Sequence, residues 1–240
     1  MDRIINYQTS LFGSFIDLKP ETDIIIKLLA SLKDEHFIPA TVDLASIDIV
    51  SGKLSMESRM QFVSTDKSWS IAFLKDRIDF NYNYQEGADP IKNIDHLGEY
   101  AKKIITYVFS VFAATKGNRI AVNCKILLDK MTDEEIGSFT QRFTNPFKGF
   151  ENNDLLEWGM RYNYSRDIDV DCSRTEKSNC IVDMSKVVSV NNPNDSRIMV
   201  SLDINTIQEI IQMRFDYTNM LYFSENARVL MKEILQEIIR

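Results

Sequence analysis

Two spacings of apolar residues alternate along this chain. In "SWSIAFLKDRIDFNYNY", residues 68–84, they fall at every second position. Trp69, Ile71 and Phe73 come first, and Ile78, Phe80, Tyr82 and Tyr84 follow the polar "LKDR". Side chains on a strand point alternately to opposite faces, so this pattern predicts an antiparallel hairpin with one apolar face. The same period of two runs through "INYQTSLFGSFIDL", "TVDLASIDIV" (Val42, Leu44, Ile47, Ile49), "LSMESRMQFVSTD" (Met60, Phe62) and "NRIAVNCKILLD". It returns in "DLLEWGMRYNYS", which sets Trp158, Met160, Tyr162 and Tyr164 on one face. "NCIVDMSKVVSV" and "SRIMVSLDI" are two further strands, with "NNPND" as their turn, and "SGK" makes an earlier one.

The other spacing is helical. "KPETDIIIKLLASLKDEHF" carries Ile25, Leu28, Leu29 and Leu32 as a stripe, with Pro20 fitting its first turn. A long helix is predicted from about Asn93 to Thr115, burying Leu97, Ala101, Ile104, Ile105, Val108 and Phe112, with Gly117 as its C-terminal cap. "MTDEEIGSFTQRF" starts a short helix with Thr132 and Glu135 spaced as a capping box. Asn205 and Gln208 resemble a second capping pair, ahead of Ile207, Ile210 and Ile211. Ser224 is placed to cap a final helix striped by Ala227, Leu230, Met231, Ile234, Leu235 and Ile238.

Strands followed by a helix, twice over, define an α+β fold. Its sheets are mainly antiparallel, built from a meander and hairpins and covered by long amphipathic helices. Two halves are expected, 1–145 and 146–240, either separate or as one continuous domain; Trp69 and Trp158 sit in similar places in the two, but the spacing is too loose to define a repeat. The 240 residues hold only 8 Gly and 5 Pro, which leaves little material for flexible linkers. The net charge of −7 gives no global attraction to nucleic acid or anionic lipid. Apolar runs are far shorter than the roughly 20 residues of a membrane-spanning helix, and no signal-peptide pattern opens the chain. The expected location is therefore cytoplasmic, in a prokaryote or phage, with Cys124, Cys172 and Cys180 as reduced thiols.

Residues that could carry chemistry are few. His36 and His96 are the only histidines, and both stand at helix ends, where surface and capping roles prevail. "IDLK" offers Asp17 and Lys19 without the upstream acid that a restriction-type nuclease needs. No phosphate-binding loop, dinucleotide fingerprint or nucleophile elbow is present. Two features remain. In "RDIDVDCSR", Asp167, Asp169 and Asp171 share a strand face, and oxygen ligands so placed suit Mg or Ca. Arg166, Arg174 and Lys177 neutralise the same cluster locally. The aromatic strands are the second feature. Tyr82 and Tyr84 lie among asparagines, while Arg161 and Arg166 flank Tyr162 and Tyr164. That combination suits a partner surface or base stacking, although aromatic strand faces more often pack beneath helices.

The segment order also resembles a known family. "RMQFVSTDKSWSIAFLKDRIDFNYNY", a long helix, "NRIAVNCKILLD" with Arg119 and Asn123, then "SLDINT" and "FSENARVLMKEILQEI" are similar to a sporadically distributed prokaryotic family of uncharacterised two-part α+β proteins. The chain departs from that family in proline and aromatic positions near the N-terminus. The resemblance implies a two-part α+β fold and supplies no activity, cofactor or site residues.

The leading expectation is a non-enzymatic protein without a cofactor, acting through a protein partner or as a homo-oligomer. It would serve as an accessory subunit of a prokaryotic multi-protein system such as phage defence. The alternative is a nucleic-acid-binding protein or metal-dependent nuclease that uses the aromatic strands and the Asp cluster. A small-ligand sensor, with its ligand between helices and sheet, is a third class.

Overall fold

The computed structural model describes residues 2–47, 52, 54–91, 93–143, 157–189 and 192–240. The predicted turn at 51–53, the strand position Ile49, Asn191 of the predicted turn "NNPND" and the expected boundary at 145 touch residues outside that set, whereas Asn192–Asp195 of that turn belong to a strand. Among the described residues, nine antiparallel strands form one sheet in the order β2-β3-β4-β5-β1-β6-β9-β8-β7. The strands are β1 (Arg3–Phe12), β2 (Phe37–Ile47), β3 (Leu54–Ser64), β4 (Trp69–Phe73), β5 (Arg77–Asn83), β6 (Arg119–Leu127), β7 (Gly159–Asp169), β8 (Thr175–Ser189) and β9 (Asn192–Thr206). The first five make one flank and the last four the other, and they meet at the β1–β6 pair. The α+β reading with an antiparallel sheet is therefore what the chain adopts.

Period-two patterning places the core. Tyr7 and Leu11 of β1, Ile71 and Phe73 of β4, Ile78 and Phe80 of β5, and Val122 and Cys124 of β6 are buried on one face. Val200, Leu202 and Ile204 of β9 and Val182 and Met184 of β8 continue that face. Among the described residues, four α-helices cover it: α1 (Thr22–Ser31), α2 (Ile94–Val111), α3 (Asp133–Phe143) and α4 (Tyr217–Ile239). The stripe predicted for α2 is buried at Leu97, Ala101, Ile104, Ile105 and Val108, and Phe109 joins it, its ring stacked on Tyr217 at 5.9 Å. The opposite face carries Asn6, Gln8, Asn81, Asn83, Asn123, Asn179 and Asp203. Several of these bond across strands, as Asn6 does to the Asn83 side chain at 3.0 Å.

Several local expectations need correction. No helix forms at Ile207. β9 runs to Thr206, Asn205 is only 4% exposed, and Ile211 is 82% exposed with no core to enter. Ser224 does not start α4. Asp216 caps it, accepting from the Asn219 backbone at 3.0 Å while the Asn219 side chain accepts from the Asp216 backbone at 3.2 Å. Ser224 lies inside the helix and donates to the Met220 carbonyl. Pro20 sits just outside α1, whose N-cap is Glu21. Gly117 is not the cap of α2, which ends at Val111. It lets the backbone pass close to β1, since a Cβ there would stand 2.4 Å from the Phe12 carbonyl oxygen. Trp69 lies within β4, whereas Trp158 precedes the edge strand β7, so the two tryptophans are not counterparts.

Candidate functional site

The sheet ends on one side at β7, and there the helical layer stops short. Tyr162 and Tyr164 stand two residues apart on β7, so both point to the helix side. Their rings stack at 6.2 Å with planes 10° apart, close to the roughly 6.7 Å repeat of alternate strand positions. Tyr162 is half-buried, and Tyr164 is 60% exposed. Large aromatic side chains normally find cover, and among the described residues this one is covered only in part.

Beside the tyrosines runs a groove of about 530 Å³. Its floor is Cys180, Val182 and Met184 of β8, its long wall is Leu230, Glu233, Ile234, Glu237 and Ile238 of α4, and Phe143 of α3 closes one end. Three side chains fix these walls. The Asn219 and Asn226 amides on α4 donate to the carbonyls of Val170 and Asp169 at 3.1 and 3.3 Å. Arg142 of α3 donates to the carbonyls of Glu237 and Ile238 near the far end of α4, where a cation also opposes the negative end of the helix dipole. α4 is thus pinned at both ends, and the groove lies between the pins.

The groove is apolar at its base and acidic at its wall. Glu233 and Glu237 are exposed and form no ion pair with a described residue. Four residues apart on a helix, they rise about 6 Å along α4. Arg166 lines the groove at its other end. Cys180 is 4% exposed, and burial pushes its thiol above the ordinary value, with nearby Arg166 opposing only in part. A thiol held protonated in this way packs as a small apolar group and is a poor nucleophile.

The remaining sequence candidates are dispersed. Tyr82 is a core residue: it is 3% exposed and packs on Trp69 at 5.6 Å, so it offers no surface. Tyr84 is half-buried, donates to the Ala88 carbonyl at 3.2 Å and lies beneath Arg3. Arg161 points away from the tyrosines. It alternates with Tyr162 and pairs with Asp183 at 2.8 Å on the opposite sheet face, so it does not flank them. Of the six residues expected to form a partner surface, the structure brings together Tyr162, Tyr164 and Arg166. Glu233 and Glu237 were missed; their signal is an acidic i, i+4 pair flanking the stripe Leu230, Ile234, Ile238.

The aspartates do not assemble a cation site. Asp167 stands across from Lys177 and Asp169 across from Thr175. Asp171 lies in the following turn, where it accepts from the Ser173 backbone and hydroxyl at 2.9 and 3.0 Å. Those bonds, helped by Arg174, hold its carboxyl below the ordinary value. No group of three or more His, Cys, Asp or Glu placed to hold a metal ion occurs among the described residues. His36 and His96 are both exposed, and His36 ends a short 3-10 turn with a positive φ of 54°. No helix among the described residues is long and apolar enough to cross a membrane.

No family model and no curated protein matches the chain. Among solved structures, the crystal structure of the di-domain ARO/CYC StfQ from the steffimycin biosynthetic pathway is similar over 97% of this chain and 93% of that one. The identity is 6% and the TM-score 0.19, so this likeness carries no argument about fold or activity.

Proposed function

We propose that this protein works by binding another protein at the β7–α4 groove, as an accessory subunit of a multi-protein system. The observation that carries this reading is Tyr164, 60% exposed and stacked on Tyr162 over an apolar floor at the edge of the sheet. Exposed aromatic anchors beside a preformed apolar groove are the usual centre of a protein interface. The groove walls also speak against nucleic acid. Two carboxylates without ion-pair partners among the described residues face the space that a phosphate backbone would occupy, and one arginine does not offset them.

Tyr164→Ala removes the anchor without opening the core. It is expected to weaken binding to the native partner at least about tenfold, on the scale of an interface hot spot, while the unfolding midpoint stays unchanged. Ile38→Ala is the control, because Ile38 is 54% exposed on β2 at the opposite edge of the sheet. Equal effects of the two substitutions on partner affinity, measured by titration calorimetry, contradict the proposal.

A further inference from the structure

The groove is more specific than an apolar slot, and its walls say what kind of chain fits it. This inference rests on the docking site just proposed. The geometry points to an extended segment of the partner protein that adds to the free edge of β7 and carries Lys or Arg at alternate positions.

β7 ends the sheet, so its outer backbone groups lack a strand partner among the described residues. An exposed edge of this kind is a template for a further strand. The template has a defined length. At the C-terminal end of β7, the Asp169 and Val170 carbonyls are already taken by Asn226 and Asn219 of α4. The stretch from Gly159 to Asp167 is left for pairing, about nine residues, which is a full strand.

Side-chain spacing then selects the residues. On an added strand, alternate side chains point to the helix side and repeat every 6.7 Å or so. Glu233 and Glu237 on the facing wall are separated by about 6 Å of helix rise. Two basic residues at i and i+2 therefore match two carboxylates at i and i+4 of α4. Their aliphatic stems lie on the rings of Tyr162 and Tyr164, and their charged heads reach the glutamates. A cation near a tyrosine face gains further from the ring quadrupole. Arg166 marks where the acidic wall ends, and opposes a third basic residue there. An acidic segment, or a helix with its 3.6-residue period, matches neither the charge nor the spacing.

The test uses the full chain and three synthetic ten-residue peptides, followed by fluorescence anisotropy at low and physiological salt. One alternates Lys with Val, one alternates Glu with Val, and one has the first peptide's composition with its lysines grouped at one end. The alternating Lys peptide is expected to bind at least about tenfold more tightly than either of the others, and to weaken as salt rises. The double substitution Glu233→Gln and Glu237→Gln is expected to remove most of that preference, with the circular dichroism spectrum unchanged. Hydrogen exchange is expected to slow at the amides of 159–167 when this peptide is bound. Equal affinity for the three peptides, indifference to the double substitution, no binding by any peptide, or unchanged exchange along β7 would each overturn the inference. If Tyr164→Ala weakens the native partner while the peptides show no preference, only the segment chemistry is wrong. If Tyr164→Ala leaves the native partner unaffected, the docking site itself is wrong.

Discussion

Replacing Arg59 with Met is expected to destabilise the protein by about 3–5 kcal/mol, the usual cost of breaking a buried charged network by deleting one member. For a chain of this size, that lowers the unfolding midpoint by roughly 10 °C. Arg59 lies on β3 and is fully buried. A guanidinium has five N–H donors, and each of the five has an acceptor. Nε donates to the Phe73 carbonyl at 3.2 Å, and Nη1 to the Ile16 carbonyl and the Glu57 carboxylate, both at 3.1 Å. Nη2 donates to the carbonyls of Phe15 at 2.6 Å and Leu74 at 3.4 Å. One side chain thus ties the loop after β1 to the end of β4. Methionine fills similar volume but leaves four carbonyls facing an apolar group. Arg59→Lys keeps the charge and only three donors, so it is expected to fall between the two. Thermal and urea unfolding measure all three proteins, and a loss under 1 kcal/mol for Arg59→Met would contradict the assignment.

The second large effect lies between α2 and α4, and it is a change of sign. Arg228 on α4 is 7% exposed and reaches across to α2, donating to the Asp95 carbonyl at 3.1 Å and to Glu99 at 2.9 Å. It also bonds Glu225, one turn back on α4, at 3.1 Å. Burial pulls its pKa down, but the Glu99 bond and the charges of Glu225 and Glu99 outweigh burial and hold it above its ordinary value. The side chain fits because residue 98 is glycine. A Cβ there would stand 2.5 Å from Nη1 and 2.6 Å from Cδ of Arg228. Gly98→Ala should gain nearly 1 kcal/mol of helix propensity, yet it drives Arg228 from its slot and is expected to cost about 2 kcal/mol net. Arg228→Ala is expected to cost about 2–3 kcal/mol; the carboxylates it releases are partly exposed, so their mutual repulsion is screened. In the Arg228→Ala background, Gly98→Ala meets no obstacle and becomes stabilising. A double-mutant cycle reads this directly. Additive losses would show that the two residues do not share the slot.

Arg59 and Arg228 also show what the sequence could not reveal. An arginine in "MESRMQF" reads as a solvated strand residue, because its acceptors come from a loop and a strand end distant in sequence. The hairpin of Trp69–Phe73 and Ile78–Tyr82 and the stripe of α2 were legible because local period and burial agree there. The Ile207 helix failed where they disagree: the apolar residues are spaced for a helix, but Asn205 and Thr206 are already committed to the sheet. At the groove, the stacking of Tyr162 and Tyr164 follows from period two alone, and parity alone excludes Arg161 from their face. The acidic wall was not legible. Glu233 and Glu237 lie some 70 residues beyond the tyrosines in sequence, and only the strand order that leaves β7 at the edge, with α4 pinned to its end, brings them together.

Site-specific cross-linking reads what occupies the β7–α4 groove. A photoreactive phenylalanine analogue replaces Tyr164 in one protein and Ile38 in another, and each is irradiated in native lysate. One dominant adduct is expected from position 164, absent from position 38, lost on prior addition of the alternating Lys peptide, and mapping within the partner to an extended basic segment. Adducts of the same identity and yield from both positions, or none from position 164, would contradict docking at this groove.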